Sequence, residues 1–149
     1  MSEHSHHHSG EPGDLADLLM GSARGLRRRW AESLEPWGLS PHHARALRVV
    51  ADLQAPRLGV VAEHLRVTPR SATEVVDTLE ERGLVERRSD PEDRRATCVV
   101  LTPEGARVRA EIDASRRTGG ADYFAGLTAA ERATLTELLT KLDPRRRLT

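Results

Sequence analysis

The sequence predicts one domain that is mainly α-helical and carries a single two-stranded β-hairpin. Apolar residues recur at helical spacing along most of the 149-residue chain. The spacing changes to that of strands only within residues 84–101, which also contain a cluster of turn-forming residues. A serine or threonine followed by proline, a typical helix start, occurs at Ser40-Pro41, Thr68-Pro69 and Thr102-Pro103. Together these patterns predict six helices in the order α-α-α-α-β-β-α-α.

Composition narrows the classes of protein to which the chain can belong. Aromatic residues make up 3% of the chain, too few for a surface that stacks on single-stranded bases. No apolar run reaches the ~18 residues of a membrane span, and no apolar segment follows a basic start as in a secretory signal. Cys98 is the single cysteine, which excludes an internal disulfide framework. We therefore expect a cytoplasmic protein.

The first predicted helix covers about residues 14–37 and is long for a domain of this size. Asp14 can cap its start, and residues 36–38 can end it. One face carries an apolar stripe formed by Leu15, Leu18, Leu19, Ser22, Leu26, Trp30, Leu34 and Trp37. A helix with such a stripe needs a surface to lie against, and a second subunit can supply part of that surface.

The two ends of the chain lie outside the predicted domain of residues 14–143. Residues 1–13 hold four of the seven histidines and lack apolar periodicity, so we expect a disordered tail. This tail either binds a metal or is a His-rich extension without a function. Residues 144–149 are expected to form a frayed basic end.

Three further helices precede the hairpin. The second helix begins at Ser40-Pro41, and a short third helix covers residues 58–65. The fourth helix begins at Thr68-Pro69, and Gly83 ends it. The predicted buried faces of the second and fourth helices are formed by Leu47, Val50, Ala51, Ala72, Val75, Val76 and Leu79.

The hairpin consists of predicted strands at residues 84–88 and 96–101, and it must pack on the helices because an isolated hairpin is marginal in water. The fifth helix contains Gly119-Gly120, where we expect a kink, a break or a close packing point. Thr128 and Glu131 have the spacing of a capping box and begin the last helix.

Residues 58–101 combine a short helix, a tight connection, a second helix and the hairpin. This is the layout of a winged helix-turn-helix, in which the second helix enters the DNA major groove and the hairpin forms a wing. The residues at the start and on the outer face of that helix can contact bases and phosphates; they are Thr68, Arg70, Ser71, Thr73 and Glu74.

Two acidic residues on this helix need a separate interpretation, because carboxylates repel phosphates. Glu74 can accept a hydrogen bond from a cytosine amino group, orient Arg70 one turn earlier, or lie away from the DNA. Asp77 is expected to have a structural role.

The hairpin tip contains Asp93, Arg94 and Arg95. A narrow minor groove attracts an inserted arginine, and a neighbouring carboxylate can hold that arginine extended. The alternative is that the tip is an ordinary charged turn in solvent.

The sequence of residues 58–105 resembles that of the MarR family of transcriptional regulators. The most specific parts are LEERGLV at residues 79–85, and Asp93-Arg94-Arg95 followed by LTPEG at residues 101–105. The flanking helices match in number, order and length, so the resemblance extends over about residues 14–143.

This resemblance implies a homodimer that binds a palindromic duplex DNA operator, with repression as the expected outcome. Helices within about residues 14–37 and 103–143 form the dimer interface, and the winged core covers about residues 41–105. Arg95 then enters the minor groove with support from Asp93. Many members carry a basic or neutral residue at the position of Glu74, so the base preference stays open. The net charge of zero is compatible with DNA binding, because each subunit needs only a small basic patch.

The resemblance further implies release from DNA by a small aromatic or phenolic acid. The candidate ligand-binding residues are Trp30, Trp37, His42, His43 and Arg45. Alternatively, the two tryptophans belong to the core and the two histidines to the surface. We expect no cofactor or metal. Relatives that sense peroxide use a cysteine near the first helix, whereas Cys98 lies on a predicted strand. Relatives that sense zinc need ligands from both early and late helices, whereas no histidine follows His64.

No catalytic motif accompanies this fold. The sequence lacks a glycine-rich phosphate loop, an HExxH helix and a Gly-x-Ser-x-Gly turn, so we expect no enzymatic activity. The alternative function is that of a winged-helix adaptor that docks another protein without DNA specificity.

Overall fold

The computed structural model describes residues 13–143. Within this range it contains six helices and one hairpin in the predicted order: α1 (Leu15–Ser33), α2 (Pro41–Leu53), α3 (Leu58–Leu65), α4 (Pro69–Glu81), β1 (Val85–Ser89), β2 (Thr97–Leu101), α5 (Pro103–Tyr123) and α6 (Ala129–Leu142). Apart from Gly13, the predicted His-rich tail lies outside the described residues, and so does the predicted basic end at residues 144–149.

Four of the helices begin at a side chain that caps them. The hydroxyl oxygens of the capping residues accept hydrogen bonds from amides three residues later; the caps are Ser40, Thr68, Thr102 and Thr128. Thr128 and Glu131 form the predicted capping box. Asp14 occupies the cap position of α1, but its side chain makes no capping hydrogen bond, so that part of the prediction is wrong.

Two helix boundaries differ from the prediction. α1 ends at Ser33, and Glu35–Trp37 forms a separate 3-10 helix with Pro36 in its first turn. α5 runs without interruption through Gly119-Gly120, so the expected break there is wrong. The expected close packing point is absent as well: apart from the two chain neighbours and the nearby backbone of α5 itself, no atom of the described chain lies within 4 Å of a Cβ built at either glycine. The surrounding turns therefore carry the cost of two glycines, about 1 kcal/mol each.

The hydrophobic core lies where α2, α3 and α4 meet the hairpin and the first half of α5. Its largest fully buried side chains include Leu47, Val76, Leu79 and Val99. Val50 and Ala72 are buried as predicted, whereas Ala51 and Val75 are partly exposed. The apolar faces of the helices in the winged motif thus point into one common core.

The hairpin is antiparallel, with Val85 opposite Leu101 and Ser89 opposite Thr97. Each strand begins one residue later than predicted. The chain just before α3 pairs briefly with β2. The Val99 amide donates a hydrogen bond to the Pro56 carbonyl oxygen at 2.9 Å, and Arg57 forms an isolated antiparallel β-bridge with Cys98.

The start of α5 lies against the junction between α4 and β1. The Thr102 hydroxyl donates a hydrogen bond to the Gly83 carbonyl oxygen at 2.6 Å, and the Thr102 amide donates to the Leu84 carbonyl oxygen at 3.1 Å. A Cβ atom at Gly105 would lie 1.8 Å from that same Leu84 oxygen. The glycine of the LTPEG motif is therefore required by the close approach of two backbones.

We predict that Gly105→Ala lowers the free energy of unfolding by at least about 2 kcal/mol, because neither backbone can move without disturbing the core. Gly59→Ala is the matched control: Gly59 is exposed in α3 with no atom within 4 Å of the added Cβ, so stability stays the same or rises by up to about 1 kcal/mol. Urea unfolding monitored by circular dichroism measures both. Equal stabilities of the two variants would contradict the close approach.

Candidate nucleic-acid interface

The first turns of α4 present an ordered set of polar side chains. The Thr68 hydroxyl accepts a hydrogen bond from the Ser71 amide at 3.2 Å and donates one to the Ser71 hydroxyl at 3.0 Å. The Thr73 hydroxyl donates to the Pro69 carbonyl oxygen at 3.0 Å. The opposite face is buried through Ala72, so these polar side chains lie on the outer face of the helix, as major-groove contact requires.

Arg70 and Glu74 form a loose ion pair on the exposed face of α4. The Arg70 Nε atom lies 3.4 Å from Glu74 Oε1, and the two side chains are 90% and 67% exposed. Of the interpretations of Glu74, this contact favours the one in which its carboxylate orients Arg70. Because both groups are exposed, the pair costs little to open when a base or phosphate competes for the arginine.

Two acidic residues in the second half of α4, Asp77 and Glu80, contact the hairpin. Arg87 of β1 donates hydrogen bonds to Asp77 Oδ1 and to Glu80 Oε2, each at 2.5 Å. The expected structural role of Asp77 agrees with this contact. The sequence offered no sign of Arg87, whose partners are seven and ten residues away on another element.

All five residues of the wing tip, residues 91–95, are exposed. Asp93 contributes to it differently from the expectation: its Oδ1 atom accepts a hydrogen bond from the Arg95 backbone amide at 3.0 Å, and its carbonyl oxygen accepts one from the Ala96 amide at 2.8 Å. Asp93 therefore fixes the backbone of the turn rather than the guanidinium of an arginine. Within residues 13–143, neither Arg94 nor Arg95 forms an ion pair.

Asp90 anchors the base of this tip. It is the buried charged residue of the described chain, and its Oδ2 atom accepts a hydrogen bond from Arg57 Nε at 2.6 Å. Its Oδ1 atom accepts another from the Glu92 amide at 2.9 Å. The Glu92 amide, followed by the Arg57 guanidinium, lowers the pKa of the Asp90 carboxyl. Sequence spacing could not reveal this pair, because the two residues are 33 positions apart.

Comparison with known proteins identifies this arrangement. The sequence profile of the MarR family matches residues 37–96. A putative transcriptional regulatory protein for the hcr operon of Thauera aromatica is 33% identical over 150 residues, which is 91% of this chain and 90% of the relative. The chain belongs to the MarR family. It is a winged-helix, DNA-binding transcriptional regulator, and its relatives indicate no enzymatic family.

Solved MarR-family structures share the whole fold. Wild-type MarR of E. coli superimposes with a TM-score of 0.80 at 27% identity, covering 90% of this chain and 99% of that protein. A MarR-family protein of Mycobacterium tuberculosis in complex with DNA gives a TM-score of 0.74 at 27% identity, covering 87% and 98%. Between residues 13 and 143, no helix has the length and apolar content needed to cross a membrane.

Four of the five candidate ligand residues, Trp37, His42, His43 and Arg45, lie in α2 or just before it. Trp37 Nε1 donates a hydrogen bond to Glu111 at 3.1 Å, and Arg45 donates to the His64 carbonyl oxygen at 2.6 Å. His43 forms a capping box with Ser40 at the start of α2, and His42 is exposed on that helix. Burial, followed by Arg82, lowers the pKa of His43. Three of the five side chains are therefore held by contacts within the fold.

Trp30 lies in a different environment from the other four. Together with residues of α1 and α5 it lines a cavity of about 190 Å³, and the Arg116 guanidinium lies 5.1 Å from its ring centre. Its Nε1 atom is buried without a hydrogen-bond partner in the described chain. Trp37, His42, His43 and Arg45 do not line this cavity.

Cys98 is buried on β2, as expected of a small packed side chain. Burial, followed by the charge of Asp90, raises the pKa of its thiol, which disfavours the reactive thiolate. Among the described residues, no cluster of three or more His, Cys, Asp or Glu is placed to hold a metal ion.

We predict that the stabilisation contributed by Asp90 disappears in acid. A carboxyl with a lowered pKa in the folded state stabilises the protein above its unfolded pKa, about 3.9, and this contribution is lost as the pH falls through the folded value. The difference in unfolding free energy between wild type and Asp90→Asn should therefore be constant between about pH 7 and pH 5 and shrink below about pH 4. A difference that is independent of pH down to about pH 2 would show that the carboxylate charge is not what anchors the tip.

Proposed function

We propose that this protein is a homodimeric regulator that binds a palindromic duplex operator, represses transcription, and leaves the DNA when a small ligand binds. The observation that carries the DNA-binding part is the wing tip. Asp93 fixes its backbone, while the guanidinium groups of Arg94 and Arg95 stay exposed and without a carboxylate partner among the described residues. Exposed arginines on an ordered turn suit insertion into a narrow minor groove.

The recognition helix supplies the second set of contacts. Thr68, Arg70, Ser71 and Thr73 lie at its start, which comes closest to bases in helix-turn-helix complexes. Arg70 can leave Glu74 and form two hydrogen bonds with a guanine edge. In each half-site, α4 then occupies the major groove and Arg95 the adjacent minor groove.

The exposed apolar residues at the two ends of the domain support the dimer. α6 has no buried residue. Large apolar side chains are at least 40% exposed on α1 and α6, namely Leu15, Leu18, Leu19, Met20, Leu138, Leu139 and Leu142. Apolar surface on this scale is costly in water, and a second copy covers it with the same residues. The domain limits of 14–143 also remain part of the proposal.

We predict a particle of twice the 16.5 kDa chain mass by light scattering at micromolar concentration. The double variant Leu138→Arg/Leu142→Arg places charges in the interface and should shift the protein towards the monomer, whereas Leu53→Arg, an exposed leucine at the end of α2, should leave the mass unchanged. A monomeric wild type, or a double variant that stays dimeric, would rule out this interface.

We predict that Arg95→Ala weakens binding to a palindromic duplex from the protein's own promoter region about tenfold or more, because a groove contact is lost in each half-site. Arg28→Ala is the control: it removes the same charge from an exposed position on α1, where Arg28 pairs with Glu32. Fluorescence anisotropy at two salt concentrations measures both, with light scattering to confirm an unchanged mass.

Three results would count against the wing assignment or DNA binding. Equal affinity of Arg95→Ala and wild type would exclude Arg95 from the groove. An equally large loss in Arg28→Ala would show that only total charge matters. Affinity that does not depend on salt would favour the adaptor function, because phosphate contacts make DNA binding sensitive to salt.

The proposed ligand that releases the protein from DNA is a small aromatic acid. The unpartnered indole of Trp30 beside Arg116 supports it, since an indole N–H and a guanidinium both suit a carboxylate. A thermal-shift screen with aromatic acids on wild type and Trp30→Phe tests it. The cytoplasmic location likewise remains a prediction from composition.

A further inference from the structure

Arg87 joins the wing to the recognition helix by three hydrogen bonds. Its Nη2 atom donates to Asp77 Oδ1 and its Nη1 atom to Glu80 Oε2, both at 2.5 Å, and its backbone amide donates to Glu80 Oε1 at 2.9 Å. Asp77 and Glu80 are three residues apart and so lie on one face of α4. We call this set of contacts the Arg87 bridge.

The guanidinium of Arg87 is committed to these carboxylates rather than available to DNA. Its side chain is 25% exposed, against 65% for Arg88, the next residue of the same strand. The Arg87 amide, followed by its guanidinium, lowers the pKa of the Glu80 carboxyl, so Glu80 is charged at neutral pH. The bridge is therefore an internal contact between two elements that both face the operator.

The other contacts that hold the hairpin do not reach the exposed side of α4. Val85 and Val99 hold the strands against the core, and the Arg57–Asp90 pair ties the far end of β1 to the segment before α3. Neither of these contacts involves the exposed side of α4. The side chain of Arg87 fixes β1 to the exposed side of this helix.

We propose that Arg87 is a positioning residue that holds the wing at a fixed orientation to α4, so that both enter their grooves as one rigid unit. This inference rests on the proposed function, because it requires that Arg95 and α4 both contact DNA. Arg87 itself touches neither base nor phosphate. A wing that is already held in place loses less conformational entropy when it binds DNA than a mobile wing would lose.

The test is a double-mutant cycle on DNA affinity. Arg87→Gln removes the guanidinium but keeps the backbone hydrogen bond to Glu80, and the buried residues of the hairpin should keep the variant folded. We expect it to weaken operator binding about tenfold when Arg95 is present and less than about twofold in the Arg95→Ala background. A wing that no longer contacts the groove gains nothing from being held in place.

Arg88→Gln is the matched control. It removes the same charge from the neighbouring residue, which forms an ion pair with Glu86 on its own strand. Any loss of affinity in this variant should be equal in the presence and absence of the Arg95 side chain, because it reflects charge and not positioning. Thermal unfolding by circular dichroism verifies that each variant is folded at the assay temperature.

The outcomes separate the two levels of inference. Equal losses from Arg87→Gln in both backgrounds would overturn the positioning role and leave DNA binding by the wing intact. No effect of Arg95→Ala, or no operator binding by wild type, would overturn the proposed function instead. If Arg87→Gln does not fold, Asp77→Asn removes one arm of the bridge from the helix side. A loss that again depends on Arg95 supports the role, and one that does not overturns it.

Discussion

A two-stranded hairpin does not hold its own shape in water, and the DNA-binding face of this protein depends on how that hairpin is fixed to the helices. Three junctions do this. Asp90 binds Arg57 below the tip, Arg87 contacts α4, and Thr102 with Gly105 brings α5 against the end of α4. Each junction joins segments that are distant in sequence or belong to different elements. The wing is therefore held in place by its contacts with the helices.

The same contacts explain how a chain of zero net charge serves as a DNA-binding regulator. Four carboxylates of the winged motif lie against arginines: Asp90 against Arg57, Asp77 and Glu80 against Arg87, and Glu74 against Arg70. Pairing within the fold reduces the contribution of these carboxylates to the surface potential, while the guanidinium groups of Arg94 and Arg95 at the tip lie in no ion pair within residues 13–143. Local pairing, and not the total charge, sets the field that a phosphate backbone meets.

Local chemistry in the sequence was sufficient to predict most of the fold. Helix starts depend on neighbouring residues: the proline that follows Ser40, Thr68 and Thr102 marked three of them, and Glu131, three residues after Thr128, marked the fourth. Strand limits were predicted to within one residue because the period of apolar residues changes there. Gly119-Gly120 misled because helix propensity is a weak preference that tertiary context overrides.

The site was harder to predict, because its contacts span the chain. The position of Arg95 on the tip follows from local turn chemistry, but Arg57–Asp90 and Trp37–Glu111 join residues 33 and 74 positions apart. No periodicity connects such residues. Asp93 was expected to hold the guanidinium of Arg95, but its carboxylate accepts a hydrogen bond from the Arg95 backbone amide. Both donors belong to the same residue, so the sequence does not distinguish between them.

Hydroxyl-radical footprinting of the protein on its own promoter region tests most directly whether helix and wing engage DNA together, because the radicals report minor-groove exposure. We predict two protected minor-groove segments placed symmetrically about a palindrome, flanking major-groove sites about one helical turn apart where guanines are protected from methylation. Protection of the major groove alone, or no protected segment at protein concentrations that saturate the duplex, would contradict a winged-helix dimer in which Arg95 enters the minor groove.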